Sequence, residues 1–167
     1  MDAIWTTLDS PVGPLTVTAN GHAITRLFMH EQRHAPTMES VQHTHRDDAW
    51  FRDCNAQLRS YFAGELTVFA LPLELHGTPF QSSVWTQLRE ISYGTTISYG
   101  QLAKNIANPK AVRAVGLANG KNPIGIVVPC HRVVGSNGSL TGYGGGLERK
   151  RWLLQHEQPC ELRFRSP

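Results

Sequence analysis

The sequence predicts an α+β protein: an antiparallel sheet with one helix, followed by a mostly helical half. Three observations lead there. As far as Phe28 the chain consists of short runs rich in β-branched and aromatic residues, separated by turn-forming residues. From Thr78 onward, apolar residues recur at helical spacing behind strong N-cap signals. Between the halves the charge changes sign: residues 1–75 hold 5 Lys+Arg against 9 Asp+Glu (net −4), and residues 76–167 hold 11 against 4 (net +7).

In the first half, runs 4–8, 15–19 and 24–28 read as strands, joined by Ser10-Pro11-Val12-Gly13-Pro14 and by Asn20-Gly21. Residues 31–48 have few apolar side chains and no period, which predicts a mobile surface loop. A helix is expected over 49–62, with Phe51, Leu58, Tyr61 and Phe62 apolar and Gly64 as its stop, and one more strand over 68–75. Leu75-His76-Gly77 is the expected boundary, giving a structural domain 1–77 and a second domain 78–167.

In the second half, Thr78, Pro79 and Gln81 supply an N-cap, a proline at the first helical position and a capping-box partner. Phe80, Val84, Leu88 and Ile91 then form one buried stripe. Ser98 and Gln101 open a second helix that Asn108-Pro109 breaks, and a third runs from about Lys110 or Ala111 to Asn119-Gly120. Two short helices across a tight turn make a helix-turn-helix candidate, with a plain helical hairpin as the alternative. Val112 and Val115 are expected to face a core, and Ala111, Arg113, Ala114 and Leu117 to spread around the rest. Small residues beside an arginine suit a helix that approaches a duplex closely. An apolar, strand-like run 124–128 precedes Pro129-Cys130-His131-Arg132-Val133-Val134, and six glycines follow between Gly135 and Gly146. The last helix is expected over 147–156, with Trp152, Leu153 and Leu154 apolar and Arg149, Lys150 and Arg151 exposed; residues 158–167 read as a frayed tail.

Composition narrows the class. With 167 residues, 40% hydrophobic and 17% charged, the chain can bury a core, and no apolar run approaches the roughly 20 residues of a membrane span. The start, Met1-Asp2-Ala3-Ile4-Trp5, lacks the basic and apolar regions of a secretory signal. Three widely spaced cysteines, Cys54, Cys130 and Cys160, argue for a reducing, intracellular compartment, expected to be the cytoplasm. Cys54 reads as a buried helix residue and Cys160 as part of the tail. The four tryptophans read as core or domain contacts.

Cys130 stands between the apolar run and the glycine-rich loop, beside a histidine. A cysteine is nucleophilic only as thiolate, and a free thiol has a pKa of about 8.5, so it needs a base or a positive neighbour. His131 can be that base, and a third group must orient it. The nearest downstream acid in an ordered context is Glu157. Inert burial of the cysteine is the alternative.

The segment Ile126-Val127-Val128-Pro129-Cys130-His131-Arg132-Val133-Val134 resembles the active-site signature of the O6-alkylguanine-DNA alkyltransferases (methylated-DNA–protein-cysteine methyltransferases). Ser98-Tyr99-Gly100-Gln101-Leu102-Ala103, Arg113-Ala114-Val115-Gly116, Asn119-Gly120-Lys121-Asn122-Pro123 and Thr141-Gly142-Tyr143-Gly144-Gly145-Gly146 resemble it too, in order and at similar spacing. The similarity covers residues 78–157, with weaker echoes at Ser10-Pro11-Val12-Gly13-Pro14-Leu15 and Tyr61-Phe62-Ala63-Gly64.

The resemblance implies a winged-helix-like second domain containing the helix-turn-helix, and one irreversible transfer of an alkyl group from O6-alkylguanine in duplex DNA to Cys130. O4-alkylthymine is left open as a second substrate. His131 would take the thiol proton through a water, Glu157 would orient the imidazole, and Tyr99 would donate to N3 of the departing guanine. Arg113 would fill the stack space of the flipped nucleotide. Ala111, Ala114 and Gly116 would lie with it along the minor groove, whose code is degenerate, so that binding is nearly sequence-independent. Asn122 would tie the recognition helix to the active-site loop, the carbonyls of Cys130 and Val133 would accept from the guanine amino group, and Tyr143 and Gly144 would wall the pocket. The whole scheme expects the Cys130 sulfur to be held ionised at the mouth of a cavity.

Two departures stand out. Some members carry a serine where Gly144 stands, which predicts an altered pocket size. Some hold zinc in the first domain, but residues 1–53 contain no cysteine; His30 with His34 and His43 with His45 read as an incidental cluster, so neither metal nor cofactor is expected. A monomer on DNA is expected, with cooperative binding left open. The rival readings are a DNA-binding module without chemistry and a Cys-His hydrolase that turns over.

Overall fold

The structure, a computed structural model, describes residues 3–159. Cys160 and most of the expected tail lie outside the described residues. The chain divides into two compact units: the part up to His76 together with Pro123–Val127, and Gly77–Asn122 together with the part from Val128 on.

The first unit is a sheet of order β3-β2-β1-β4. Strands β1 (Ile4–Leu8), β2 (Leu15–Ala19) and β3 (Ile24–Met29) form the expected antiparallel meander, in register from Ile4↔Ala19 to Leu8↔Leu15 and from Leu15↔Met29 to Thr18↔Arg26, with a register shift before Ala19↔Ile24. The segment read as a mobile loop is partly ordered. It contains α1 (Met38–Gln42), capped by Thr37, and β4 (His45–Arg46), which pairs in parallel with β1. Val41 joins Trp5 and Phe28 in a small cluster flanked by Ala35 and Met38, so a few apolar residues anchor a segment too short to show a period.

Helix α2 (Arg52–Phe62) starts later than expected, because a turn precedes it in which Trp50 N–H donates to Asp47 Oδ1 at 3.0 Å. Cys54 is buried in it, and burial pushes its thiol up to about 12, the state of an inert core cysteine. The expected strand over 68–75 is absent. Leu73 makes one isolated bridge to Ile24, and Pro72, which has no N–H to donate, contributes only its carbonyl.

The strand read before Cys130 is also reduced to one bridge, Leu27↔Ile124. Pro123 and Gly125 are poor strand formers, and Ile126 has φ 69°, a left-handed conformation that a β-branched residue rarely adopts. Val127 N–H donates to Gly125 O at 2.8 Å across it, a tight three-residue turn.

The second unit is helical. In α3 (Pro79–Arg89) the Thr78 hydroxyl accepts from the Gln81 N–H while the Gln81 side chain accepts from the Thr78 N–H, the reciprocal capping box read from the sequence. Val84, Trp85 and Leu88 are buried, and Trp85 Nε1–H donates to Ala118 O at 2.9 Å. Ser98 caps α4 (Tyr99–Asn105). That helix ends in a Schellman motif, with Ala107 N–H donating to Lys104 O and Asn108 N–H to Ala103 O, both at 2.9 Å. Helix α5 (Val112–Gly120) follows and buries Val115, Ala118 and Asn119. Val112, expected in the core, is 41% exposed: it lies on the same side of the helix as Val115 and Asn119, but at the first helical position, one turn before the buried residues begin. Strands β5 (Ile97–Ser98) and β6 (Val133–Val134) pair in parallel, a 3-10 turn spans Cys130–Arg132, and α6 (Leu147–His156) closes the unit.

Candidate active site

Local backbone chemistry sets where Cys130 stands. Pro129, whose ring fixes φ, sits at φ −83° and ψ 64°, so Cys130 N–H donates to Val128 O at 2.8 Å in a three-residue turn. The 3-10 turn begins at once, and Val133 N–H donates to Cys130 O. The β5–β6 register, Ile97↔Val133 and Ser98↔Val134, brings the N-terminus of α4 alongside the strand that leaves the cysteine.

His131 and Glu157 meet. Nε2 of His131 lies 2.7 Å from Glu157 Oε1, both side chains sealed from solvent. Hydrogen bonds from His131 and Arg132 hold the Glu157 carboxyl far below the usual carboxylate range, against burial, which pushes the other way. An ionised carboxylate only accepts, so Nε2 carries the proton and Nδ1 is left as an acceptor. That Nδ1 is buried and has no hydrogen-bond partner among the described residues.

The expectation of an ionised sulfur is overturned. Cys130 is 7% exposed, and burial raises its thiol pKa, although an Asn122 side-chain hydrogen bond and the Lys150 charge act against that rise. Burial likewise lowers His131, partly opposed by Glu157. The resting pair is therefore a neutral thiol beside a neutral imidazole.

Two asparagines and a lysine brace this turn. Asn122 Nδ2 donates to Val128 O at 2.7 Å, and Asn119 Nδ2 to Cys130 O at 3.3 Å. Lys150, read as exposed, is fully buried: its Nζ donates to Val133 O at 2.6 Å and Thr141 O at 2.9 Å. The correction has a plain cause. Positions 150, 153 and 157 share one face of a helix, and Leu153 and Glu157 both point inward. Arg132 is buried as well and reaches both carboxylate oxygens of Glu157. Asn119, Arg132 and Lys150 were given no role from the sequence; for Lys150 the helical spacing was the available signal.

The Tyr99 hydroxyl donates to Thr141 O at 3.0 Å, with Gly142 O at 3.4 Å, so the glycine-rich loop is tied to the start of α4. Tyr143 and Gly144 lie half-buried in that loop. Burial raises the Tyr143 phenol well above its ordinary value, keeping it a neutral donor. On α5, Arg113 and Ala114 are exposed and Leu117 is 65% exposed, while Ala111 and Gly116 are half-buried. A Cβ at Gly116 would meet the Tyr99 ring at 3.8 Å, ordinary contact, so close packing does not require glycine there.

Burial lowers the Lys150 pKa to about 8, with Cys130 opposing. A lysine whose folded value lies below its unfolded value of about 10.4 penalises the fold fully below about pH 8, and the penalty fades as pH rises toward 10.4. Unfolding midpoints of the wild type, measured against Lys150→Met, are therefore expected to rise across that window. A difference that stays flat with pH would contradict the buried cation.

The family model described as 6-O-methylguanine DNA methyltransferase, DNA binding domain, matches residues 79–159, and the ribonuclease-like domain of the same family matches residues 3–75. The chain is 53% identical over 159 residues to the methylated-DNA–protein-cysteine methyltransferase of Mycobacterium tuberculosis (strain H37Rv), covering 93% of this chain and 94% of that one. It is similar to the crystal structure of the Mycobacterium tuberculosis O6-methylguanine methyltransferase, with TM-score 0.86 at 50% identity over 99% of this chain and 95% of that one. It is also similar to Mycobacterium tuberculosis OGT in complex with DNA, with TM-score 0.86 at 51% identity over 96% and 98% of the two chains. With both of its parts matched and a half-identical relative along nearly its whole length, the chain belongs to the 6-O-methylguanine DNA methyltransferase family.

Proposed function

We propose that this protein repairs DNA by transferring the alkyl group of O6-alkylguanine in a duplex to Cys130, once per molecule. The observation that carries the reading is the Cys130-His131-Glu157 arrangement. Glu157 holds the Nε2 proton, so the buried Nδ1 faces its surroundings as a base one residue from the thiol. As the sulfur attacks the alkyl carbon in line, the C–S bond forms, the C–O bond breaks, and its electron pair goes to the base. The thiol proton leaves for His131. The product thioether has no leaving group that this site can use, so the molecule reacts once.

Tyr99 supplies the second proton contact. Its hydroxyl exchanges the Thr141 carbonyl for N3 of the departing guanine, where charge grows only in the transition state. Asn119 and Lys150 orient the Cys130 and Val133 carbonyls, the acceptors for the guanine amino group. Asn122 joins the end of α5 to Val128, on the approach to the nucleophile. The net +7 of residues 76–167 and the exposed Arg113 fit α5 to the minor groove, with Arg113 replacing the flipped nucleotide in the stack.

Incubation with a duplex carrying O6-methylguanine is expected to add the mass of one methylene to the intact protein. Unchanged mass overturns the reading. Flipping a base costs a few kcal/mol, so Arg113→Ala is expected to slow repair of the duplex roughly 10- to 100-fold while sparing reaction with the free alkylated base. Equal losses on both substrates would refute the flipping role.

A further inference from the structure

The Glu157 carboxylate does not serve His131 alone. Oε1 accepts from His131 Nε2 at 2.7 Å and from Arg132 Nη2 at 2.9 Å, while Oε2 accepts from Arg132 Nε at 2.8 Å and from the Gly94 N–H at 3.3 Å. The guanidinium is pinned in turn. Its Nη1 donates to Ile91 O at 2.6 Å, and its centre lies 5.7 Å from the Tyr93 ring centroid. Arg132 and Glu157 are both buried, so neither charge is screened by water. In a triad with a lone carboxylate, the acid is free to balance an imidazolium. Here the arginine has already balanced it.

We propose that Arg132 is a positioning residue that sets the proton affinity of His131, holding the imidazole neutral at rest and making its protonated form short-lived. The proposal rests on the reading of His131 as the base for Cys130. The proton that leaves the thiol passes through His131 to the departing guanine, which takes up the electron pair of the broken C–O bond; the imidazolium does not accumulate beside a second buried cation. The other charged groups that act on the imidazole are Glu157 at the end of α6 and Lys150 on α6. Lys150 acts in the same direction as Arg132, and Glu157 opposes both.

The test is an NMR titration of the His131 imidazole in a Cys130→Ser background, which removes coupling to the thiol. Arg132→Met removes the cation that balances the carboxylate, and the imidazole pKa is expected to rise by about 1–3 units. The acid limb of the alkyl-transfer rate, measured on chains that retain Cys130, should move up in pH by a similar amount, since a protonated base cannot accept the thiol proton. Arg132→Lys, which keeps the charge, should restore both toward wild type. An unshifted titration in Arg132→Met, or a lysine variant that behaves like the methionine one, overturns the proposal. Should the methionine variant not fold, Arg132→Gln in the same Cys130→Ser background takes its place: a His131 pKa above that of the parent, at unchanged burial, supports the role, and an unchanged value refutes it. The two possible failures are separable. If the wild type takes no alkyl group while the titration still shifts, the base reading falls; if it takes the group and the titration does not shift, Arg132 falls.

Discussion

Cys130→Ser is expected to abolish alkyl acceptance while leaving duplex binding within a few fold of wild type. Serine has nearly the shape of cysteine, so the 3-10 turn and the bonds of Val133, Asn119 and Asn122 around it should survive. The chemistry should not. A hydroxyl is far less acidic than a thiol, and the imidazole beside it has a lowered pKa, so the proton has nowhere favourable to go. Removal of the nucleophile costs about 10⁶ in rate in a hydrolase that uses the same kind of relay. Intact-mass analysis after exposure to methylated duplex, with a gel-shift measurement on the same sample, checks both halves. A mass gain on the serine variant would move the acceptor elsewhere.

Glu157→Ala is expected to produce the largest loss of stability together with loss of transfer. It removes the acceptor of three side-chain hydrogen bonds and leaves the Arg132 guanidinium buried without a counter-charge. Breaking a buried ion pair from one side costs about 3–5 kcal/mol. The double variant Glu157→Leu with Arg132→Met leaves no lone charge, so it should regain most of that stability and still transfer nothing. Denaturant midpoints of the single and double variants read this directly. Equal midpoints would mean that the pair is not coupled. In the wild type the carboxyl is depressed below its unfolded value of about 4.3. Its contribution is therefore complete above that pH and is lost only as pH falls through the lower folded value.

The sequence carried the sheet because β1 to β3 are short β-branched runs between turn residues, and it carried α3 because its capping box is local. Residues 31–48 and 68–75 were misread for opposite reasons. In the first, the few apolar residues that anchor α1 are too sparse for any period. In the second, Leu73 looks like strand, but Pro72 has no N–H with which to extend the pairing beyond one bridge.

At the site, a cysteine beside a histidine and the nearest ordered acid downstream point to Cys130, His131 and Glu157, resemblance adds their roles, and the structure brings the last two together. Lys150 sits between two arginines and reads as a surface charge, although its spacing from Leu153 and Glu157 gives its direction. Arg132 had no such signal: the three residues of a single 3-10 turn point in three different directions, and with no second turn there is no repeat to mark which of them is buried. The ionisation state of Cys130 was misread because burial is a property of the assembled unit and of no residue string.

The most direct test of one acceptor used once is a count of guanines restored per protein molecule with methylated duplex in excess. The account predicts a plateau at a single equivalent, with the added group found on the peptide that contains Cys130. Continued release of repaired duplex beyond that plateau, or an adduct on any other residue, would contradict it.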